Sequence, residues 1–405
     1  MPLNIGFVTG EYPPMQGGVG AFTQALAREM APAGHNVHII TSRLARPPRP
    51  GDRPYRFNEL REPIDIGYAQ LHPRARRWSW SDVSLVADIA LRFSLDVINI
   101  QYQAAAFNMR LPAINFAPWR LRGLVKSVVT FHDLRVPYLF PKAGPLRTQV
   151  VHSLARLADG VIATNAADYA RLQQIGLPAG RLRHIPIGSN IVTHHPPAGA
   201  VTAARATLGL GEGDFLLGYF GFLNESKGAD TLLHALAQLA PQTHLVFIGG
   251  RTGDSDPANN QAFFQQLDSL IASLGLPGRV HWTDFLPDEG VSTYLHAADL
   301  VVLPYRDGVS LRRGSLMAAL AHARPVLSTH PAAPIPELVH QENIWLTPAG
   351  DPAGLAQDIT SLQNDALTRQ RLAGAAGQVA GLFTWDKIAA QTIAFYESLG
   401  AGHAT

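Results

Sequence analysis

Short apolar segments alternate with segments of helical periodicity along almost the whole chain. In the first half, the apolar segments predict strands at 3–9, 36–41, 96–100, 127–131, 160–164 and 182–187. Between the first two, Phe22, Ala25, Leu26 and Met30 recur at the spacing of one helix face. Alternating strands and helices are typical of parallel α/β layers, so we expect a doubly wound sheet.

The alternation restarts after residues 193–200, a stretch rich in Pro and His that predicts an interdomain linker. The second half predicts strands at 215–221, 244–249, 279–285, 299–303, 325–328 and 344–347, and helices near 258–274, 289–297, 352–363 and 366–380. A closing helix is predicted over 384–400, with Thr384 as its N-cap, and we expect it to pack back onto the first domain. We therefore expect two doubly wound α/β domains, residues 1–195 and 200–383, facing each other across a cleft.

Composition narrows the functional classes. None of the 405 residues is cysteine, which excludes disulfides, thiolate metal sites and a cysteine nucleophile, and is compatible with a cytoplasmic protein. The first residues read as a buried strand rather than a secretory signal, and no run of 18 apolar residues occurs. No spacing of acidic residues and histidines resembles a metal site and no nucleic-acid-binding motif occurs, so we expect no metal and no nucleic-acid partner.

Charge is distributed unevenly along the chain. Residues 1–200 hold 22 Lys and Arg against 12 Asp and Glu, a balance of +10, whereas the rest holds 11 against 19, a balance of −8. A basic half favours an anionic acceptor or peripheral contact with an anionic membrane surface, although scattered, solvated arginines would give the same count. A basic and aromatic cluster at 72–80 adds a candidate interface or sugar-stacking surface to this half. Residues 44–64, rich in Pro and Arg, predict a mobile loop.

Two loops of the first half follow predicted strands and are candidate binding elements. Gly17 and Gly18 begin a glycine-rich turn whose amides can approach a ligand oxygen; a plain tight turn is the alternative. The spacing is not the dinucleotide fingerprint and no acidic residue closes strand 36–41, which disfavours a nicotinamide enzyme. His132, followed by Asp133, ends a buried strand, where it would bind a sugar hydroxyl, act as an acid or base, or be a structural histidine.

The second half of the chain has two candidate binding sites that each contain one charged side chain. Gly221 begins a strand-to-helix loop in which Lys227 is placed to neutralise a phosphate, unless it pairs with Glu225 in solvent. Glu337 follows a proline and predicts the first turn of a helix, where its carboxylate either binds a ligand or merely favours the helix dipole.

The most informative segment is the loop of Ser310, Leu311, Arg312 and Arg313. It joins a predicted strand to a helix, and the first amides and positive dipole end of a helix attract an anion. The arginines can add bidentate contacts to a phosphate, and the serine hydroxyl can add a donor. Because consecutive residues point in different directions, we expect one of the two arginines to contact phosphate.

These motifs, in this order, resemble the family 4 (group 1) retaining glycosyltransferases, which have the GT-B fold. The resemblance covers nearly the whole chain, through residues 17–20, 131–133, 185–188, 221–228, 298–304, 319–326 and 336–337. It implies a C-terminal domain that holds a nucleotide-diphosphate sugar, with a UDP-sugar favoured, and an N-terminal domain that holds a glycan or lipid-linked acceptor. It further implies transfer with retention at the anomeric carbon, no obligatory metal or separate cofactor, and a role in polysaccharide or glycoconjugate biosynthesis.

The resemblance also implies roles for single residues. Gly18 and its neighbours would approach the diphosphate or sugar, His132 would contact the donor sugar, and Lys227 would bind phosphate. Phe222 stands where the family usually has an arginine, and Ser310 and Ala318 stand where it has the two glutamates of its Glu-x7-Glu motif, which contact donor sugar and ribose. We expect Arg312 or Arg313 to replace the missing cation. The competing hypothesis is a non-catalytic GT-B protein that binds a nucleotide or scaffolds a partner.

Overall fold

The computed structural model describes residues 1–15, 17–48, 59, 61–137, 143–249 and 257–402, without the side chains of 257–262. The chain divides into two units, Met1–Ile187 with Trp385–Thr405, and Gly188–Thr384. Each unit is a mostly parallel sheet with helices on its faces. Among the described residues, no helix is both long enough and apolar enough to cross a bilayer.

The strands of the first unit form, within its described residues, one eight-stranded sheet of order β3-β4-β2-β1-β5-β6-β7-β8. Only the β3–β4 pair is antiparallel. Because helices cover both faces, its central strands are buried throughout, as Ile5, Phe7 and Val8 illustrate. The bounds are β1 (Asn4–Thr9), β2 (Asn36–Ser42), β3 (Ile64–Asp65), β4 (Gln70–Ala75), β5 (Val97–Tyr102), β6 (Lys126–Phe131), β7 (Gly160–Ala163) and β8 (Leu182–His184).

The second unit forms, over the part that the structure describes, a six-stranded parallel sheet of order β11-β10-β9-β12-β13-β14. The strand order reverses between β9 and β12, as it does between β1 and β5 in the first unit, and such a switch point is where ligands bind in open α/β sheets. The bounds are β9 (Phe215–Phe220), β10 (Thr243–Ile248), β11 (Val280–Trp282), β12 (Leu300–Leu303), β13 (Val326–Thr329) and β14 (Trp345–Thr347).

Helices connect the strands, with apolar faces turned to the sheets. Every predicted strand is present, and the helix face of Phe22, Leu26 and Met30 is buried as predicted. The bounds are α1 (Gly18–Met30), α2 (Trp80–Arg92), α3 (Ala117–Leu121), α4 (Leu146–Leu157), α5 (Ala166–Gln173), α6 (Ala200–Thr207), α7 (Ala229–Leu236), α8 (Pro257–Ser273), α9 (Asp288–Ala297), α10 (Gly314–Ala321), α11 (Pro352–Asn364), α12 (Ala366–Ala380) and α13 (Trp385–Ser398).

The last helix belongs to the first unit, although it follows the second in the chain. It contacts α1, and the Asn99 side chain donates a buried hydrogen bond of 2.6 Å to the Tyr396 hydroxyl. Gly160 lies so close to this helix that a Cβ atom there would be 2.4 Å from the Leu399 side chain. The first sheet is therefore covered in part by the chain's final helix.

Two expectations about the first unit need correction. The 72–80 cluster is not one exposed surface, because His72 lies in β4, bonded to His38 at 3.0 Å, and Trp78 packs in the core against Phe107. Its exposed members include Arg76, Arg77 and Trp80. The predicted loop at 44–64 contains strand β3 at its end, while residues 49–58 and 60 lie outside the described residues.

The domain boundary falls earlier than expected. Residues 188–195 group with the second unit rather than the first, because their backbone bonds to α9: Val192 N–H donates to Asp288 at 3.0 Å, and His194 N–H donates to Ser292 at 3.2 Å. Residues 336–337 form a turn, not the predicted helix start. The Asn343 side chain holds that turn by donating to the Glu337 carbonyl at 3.0 Å.

Candidate functional site

The loop after β9 is shaped by two glycines with left-handed backbone. Gly221 has φ of 116° and Gly228 has φ of 71°. Between them a single 3-10 turn, Glu225–Lys227, is capped by the Asn224 side chain, which accepts from Ser226 N–H at 3.1 Å. A Cβ atom on Gly228 would lie 1.9 Å from the carbonyl oxygen of Pro304, so only glycine lets the loop pass this close to the end of β12.

This close approach places Lys227 beside Tyr305, the second residue after β12. The lysine Nζ is 5.2 Å from the centre of the tyrosine ring, and the guanidinium carbon of Arg313 is 4.7 Å from the same ring. Arg313 is paired with Asp307, and Arg312 lies 3.6 Å from the same carboxylate. We call this group, Lys227, Arg312, Arg313, Tyr305 and Asp307, the cationic cluster. It holds three cations and one carboxylate at the switch point of the second sheet.

The lysine of the cationic cluster has no ion-pair partner among the described residues, although the charge of Asp307 acts on it. Among the described residues no carboxylate or carbonyl accepts a hydrogen bond from its Nζ. Burial, and then the positive charge of Arg313, lower the pKa of Lys227 to about 7, against an ordinary value of 10.5. Burial raises the pKa of Tyr305 to about 12, so the ring stays neutral and its hydroxyl bonds to Ser315 at 2.8 Å. The cluster therefore carries more positive than negative charge.

Further donors surround the cationic cluster. Arg313 is the N-cap of α10 and makes no side-chain cap, so the first amides of this helix keep their donor capacity. Arg313 Nε and Ser310 Oγ are buried without a hydrogen-bond partner in the described structure. Unpaired buried donors are costly, and an anion bound here would satisfy them.

The structure brings together some of the sequence-predicted residues and not others. Lys227, Arg312 and Arg313 meet in the cationic cluster, and Arg313 N–H donates to the Ser310 carbonyl at 3.1 Å. Both arginines face the carboxylate of Asp307, and contact of one of them with a phosphate stays a prediction. Leu311 is buried, so its side chain is part of the core, and Glu337 forms no hydrogen bond or ion pair with the cluster among the described residues.

In the first unit, the amides of the glycine-rich turn already bind a carboxylate of the same chain. The Glu11 carboxylate accepts from Val19 N–H at 3.0 Å and from Gly20 N–H at 3.4 Å. A Cβ atom on Gly17 would lie 2.0 Å from that carboxylate. Gly18 has open space around it. The amides of this helix start therefore do bind an oxygen, and contact of Gly17 and Gly18 with a ligand stays a prediction.

His132 lies at the end of β6 and is half-buried. Its Nε2 is 2.9 Å from Gln101 Oε1, and Phe22 of α1 packs edge-on at 4.7 Å between ring centres. Burial lowers the pKa of His132 to about 3, so the imidazole is uncharged near neutral pH. With the amide oxygen as acceptor, Nε2 carries the proton and Nδ1 is an acceptor for a hydroxyl. A neutral imidazole of such low basicity suits hydrogen bonding better than general-base catalysis.

Three important residues were not found by sequence reasoning. Tyr305 and Glu11 each lie two residues after the end of a strand at a switch point, and this position is a signal that could have found them. Tyr219 lies inside β9 with its hydroxyl buried and without a partner among the described residues. Burial raises its pKa well above the ordinary value. Nothing in the sequence distinguishes Tyr219 from a packed core tyrosine.

Two doubly wound units, one with a cationic cluster at its switch point, have the architecture of the GT-B class. Comparison with known families identifies the group. The family model described as "Glycosyl transferase 4-like domain" matches residues 17–188, and that described as "Glycosyl transferases group 1" matches residues 214–365. The two matches together cover most of the chain, which belongs to the group 1 glycosyltransferases of family 4.

Two relatives of similar sequence have closely similar names. A D-inositol 3-phosphate glycosyltransferase of Xylanimonas cellulosilytica is 28% identical over 248 residues, 59% of this chain and 57% of the relative. A D-inositol 3-phosphate glycosyltransferase 1 of Catenulispora acidiphila is 28% identical over 286 residues, 68% of this chain and 64% of the relative. The chain thus matches less than two thirds of the length of these relatives.

Solved structures with the same fold cover nearly the whole chain. Anabaena HepE in complex with UDP superimposes with a TM-score of 0.72 at 20% identity, over 98% of this chain and 100% of HepE. Sucrose-phosphate synthase of Thermosynechococcus elongatus superimposes with a TM-score of 0.76 at 22% identity, over 98% and 99% of the two chains. At such low identity these likenesses show the fold.

Proposed function

We propose that the chain is a glycosyltransferase whose second unit binds a nucleotide-diphosphate sugar. The observation that carries the proposal is the cationic cluster, in which Lys227 has a lowered pKa and, among the described residues, no ion-pair partner. Three cations against one carboxylate leave a surplus that matches the roughly two negative charges of a diphosphate. The free α10 amides and the unpaired Ser310 and Arg313 donors supply the directional contacts.

The cluster also suits the chemistry of sugar transfer. When the bond between the anomeric carbon and the diphosphate oxygen breaks, the bonding electrons leave with the diphosphate. Lys227, Arg312 and Arg313 stabilise the charge that develops there, a task that a divalent cation performs in other transferases. Transfer with retention and without an obligatory metal is proposed from the family resemblance.

The donor and acceptor are proposed from different grounds. UDP-sugars are favoured as donors because Anabaena HepE was crystallised with UDP, with UDP and glucose, and with UDP-glucose. The acceptor is proposed to be a glycan or lipid-linked saccharide in polysaccharide or glycoconjugate biosynthesis, reached at an anionic membrane surface on the cytoplasmic side. The basic balance of residues 1–200 supports an anionic acceptor or surface.

Thermal-shift and calorimetric titrations with UDP, GDP, ADP and UDP-glucose test the donor site. A ligand that binds the folded state raises its stability by mass action. We expect stabilisation by one nucleoside diphosphate, and its loss in Lys227→Ala and Arg312→Ala but not in Lys387→Ala, which removes a charge from the exposed face of α13. Failure of every ligand to bind would contradict the proposal.

A second candidate function is favoured by Ser310 and Ala318, which stand where the resembled family has two glutamates. A non-catalytic GT-B protein that binds a nucleotide would give the same thermal shifts. Slow hydrolysis of the bound UDP-sugar separates the two functions. Turnover that disappears in Lys227→Ala while the variant stays folded supports the enzyme; binding without any turnover supports the non-catalytic protein.

A further inference from the structure

One stretch of the first unit is almost free of acidic residues. Between Asp96 and Asp159 the chain has eight Lys and Arg and one acidic residue, Asp133, whose side chain is buried. The structure places this stretch, apart from residues 138–142, between the start of β5 and the end of α4. The exposed charge of its described residues is therefore of one sign.

The same stretch exposes aromatic and aliphatic side chains. Trp119 of α3 is 61% exposed, and Leu111 and Leu124 on either side of that helix are each 40% exposed. Trp80, at the start of α2, is 53% exposed and lies 6.0 Å from Phe116 between ring centres. Because α3 also contacts α2, these groups share one region of the surface.

The exposed side chains are not needed to fold the segment. Ala113, Ile114, Ala117 and Leu121 anchor it in the core, all buried. The guanidinium groups of Arg110, Arg120 and Arg122 are exposed and, among the described residues, form no ion pair. We call the exposed group, Trp80, Arg110, Leu111, Trp119, Arg120, Arg122 and Leu124, the basic apolar face.

We propose that the basic apolar face docks on an anionic lipid bilayer. Arginines attract anionic headgroups, and tryptophan and leucine side chains insert at the level where the bilayer changes from polar to apolar. A second copy of the chain would bring like charges together, and a nucleic acid would leave the aliphatic groups without a partner. The proposal goes beyond the donor site and rests on the proposed function only for its purpose, which is to bring the enzyme to an acceptor held in the membrane.

Flotation with lipid vesicles tests this docking on the full chain, with no nucleotide present. The vesicles contain phosphatidylcholine alone, or phosphatidylcholine with about one third phosphatidylglycerol. We expect binding only to the anionic vesicles, weakened about 30-fold by Arg120→Gln with Arg122→Gln, because each arginine near the surface contributes roughly a factor of five. The matched control is Arg43→Gln with Arg171→Gln, two exposed arginines of the same unit, and it should leave binding nearly unchanged.

Insertion is measured separately from charge. Because the chain has no cysteine, Leu124→Cys and Leu367→Cys each accept one environment-sensitive fluorophore. Leu367 is 79% exposed and lies in the second unit, so its label is the control. Anionic vesicles should shift the emission of the label at 124 to the blue and leave the label at 367 unchanged.

Three results of the vesicle experiments would overturn the docking proposal. The first is no binding to anionic vesicles, and the second is that the arginine control loses as much binding as the Arg120→Gln, Arg122→Gln variant. The third is that the emission of the label at 124 does not shift to the blue. A homodimer in light scattering that Trp119→Ser dissociates, without vesicle binding, would assign the face to self-association and equally refute the proposal. UDP-glucose titration of the Arg120→Gln, Arg122→Gln variant should be unchanged, so the failure of docking and the failure of the donor site are distinguishable.

Discussion

The cationic cluster predicts that Lys227 takes up a proton when a diphosphate binds. Its pKa is about 7 in the unliganded protein, so a quarter to three quarters of the molecules carry a neutral lysine near neutral pH. A diphosphate bound beside Lys227 would add negative charge and move this pKa back toward 10.5. Binding therefore draws a proton onto the lysine, and affinity must depend on pH.

The magnitude follows from the two pKa values. The protonated fraction of Lys227 falls from roughly 0.9 at pH 6 to roughly 0.1 at pH 8, so affinity should fall about tenfold over that range and about 100-fold by pH 9. UDP-glucose is the right ligand, since a terminal phosphate, as in UDP, itself titrates near pH 6. At pH 7.5 about 0.8 proton should be taken up for each UDP-glucose bound.

Calorimetry in buffers of different ionisation heat counts those protons directly. In Lys227→Met, which keeps the length of the side chain without its charge, proton uptake should vanish and affinity should be flat from pH 6 to pH 9. The unliganded wild type should gain stability as pH rises through 7, because a lysine whose folded pKa is lowered is penalised below that pH. Equal, pH-independent affinities of wild type and variant would refute the argument.

Three further predictions concern the structure around the two sites. Gly228→Ala should lower the free energy of unfolding by at least about 3 kcal/mol in urea titrations, because its Cβ would meet the Pro304 carbonyl, whereas Gly350→Ala, with similar φ and open space, should cost only about 1 kcal/mol; equal costs would contradict the close approach. Glu11→Gln should cost about 1 kcal/mol, because the carboxylate caps the positive end of α1, whereas Glu29→Gln at the negative end should cost nothing; similar urea midpoints for both would remove the capping role. Tyr396→Phe should cost about 1–2 kcal/mol by leaving the buried Asn99 amide without its acceptor, and an unchanged thermal midpoint would argue against that bond.

Periodicity was sufficient for most of the fold. Parallel strands buried on both faces appear as apolar runs, so β1, β5 and β9 are visible in the sequence. Strand β4 was missed because it contains His72, Pro73 and Arg74, which resemble a loop. Within this strand His72 Nε2 bonds to His38 Nδ1 of the neighbouring strand, a tertiary contact that no local pattern predicts.

The candidate site was only partly predictable. Lys227 and Arg313 were found because they lie in loops that follow strands, and ligands of open α/β sheets bind at the carboxyl ends of the strands. Their common partner Tyr305 and the Glu11 carboxylate were missed, since their roles depend on which strand ends are neighbours. Glu337 was expected to begin a helix, but the Asn343 side chain satisfies the local backbone and holds a turn instead.

The position of α13 determines when each half of the protein can finish folding. Residues 188–384 are continuous in the chain, so a ribosome releases all of the second unit before it releases Trp385. The sheet of the first unit is synthesised first, but α13, which covers part of it, is synthesised last. Until α13 emerges, the surface around Gly160 and Asn99 is uncovered. A stop codon a few residues after Thr384 would therefore damage the half of the protein encoded at the opposite end of its gene.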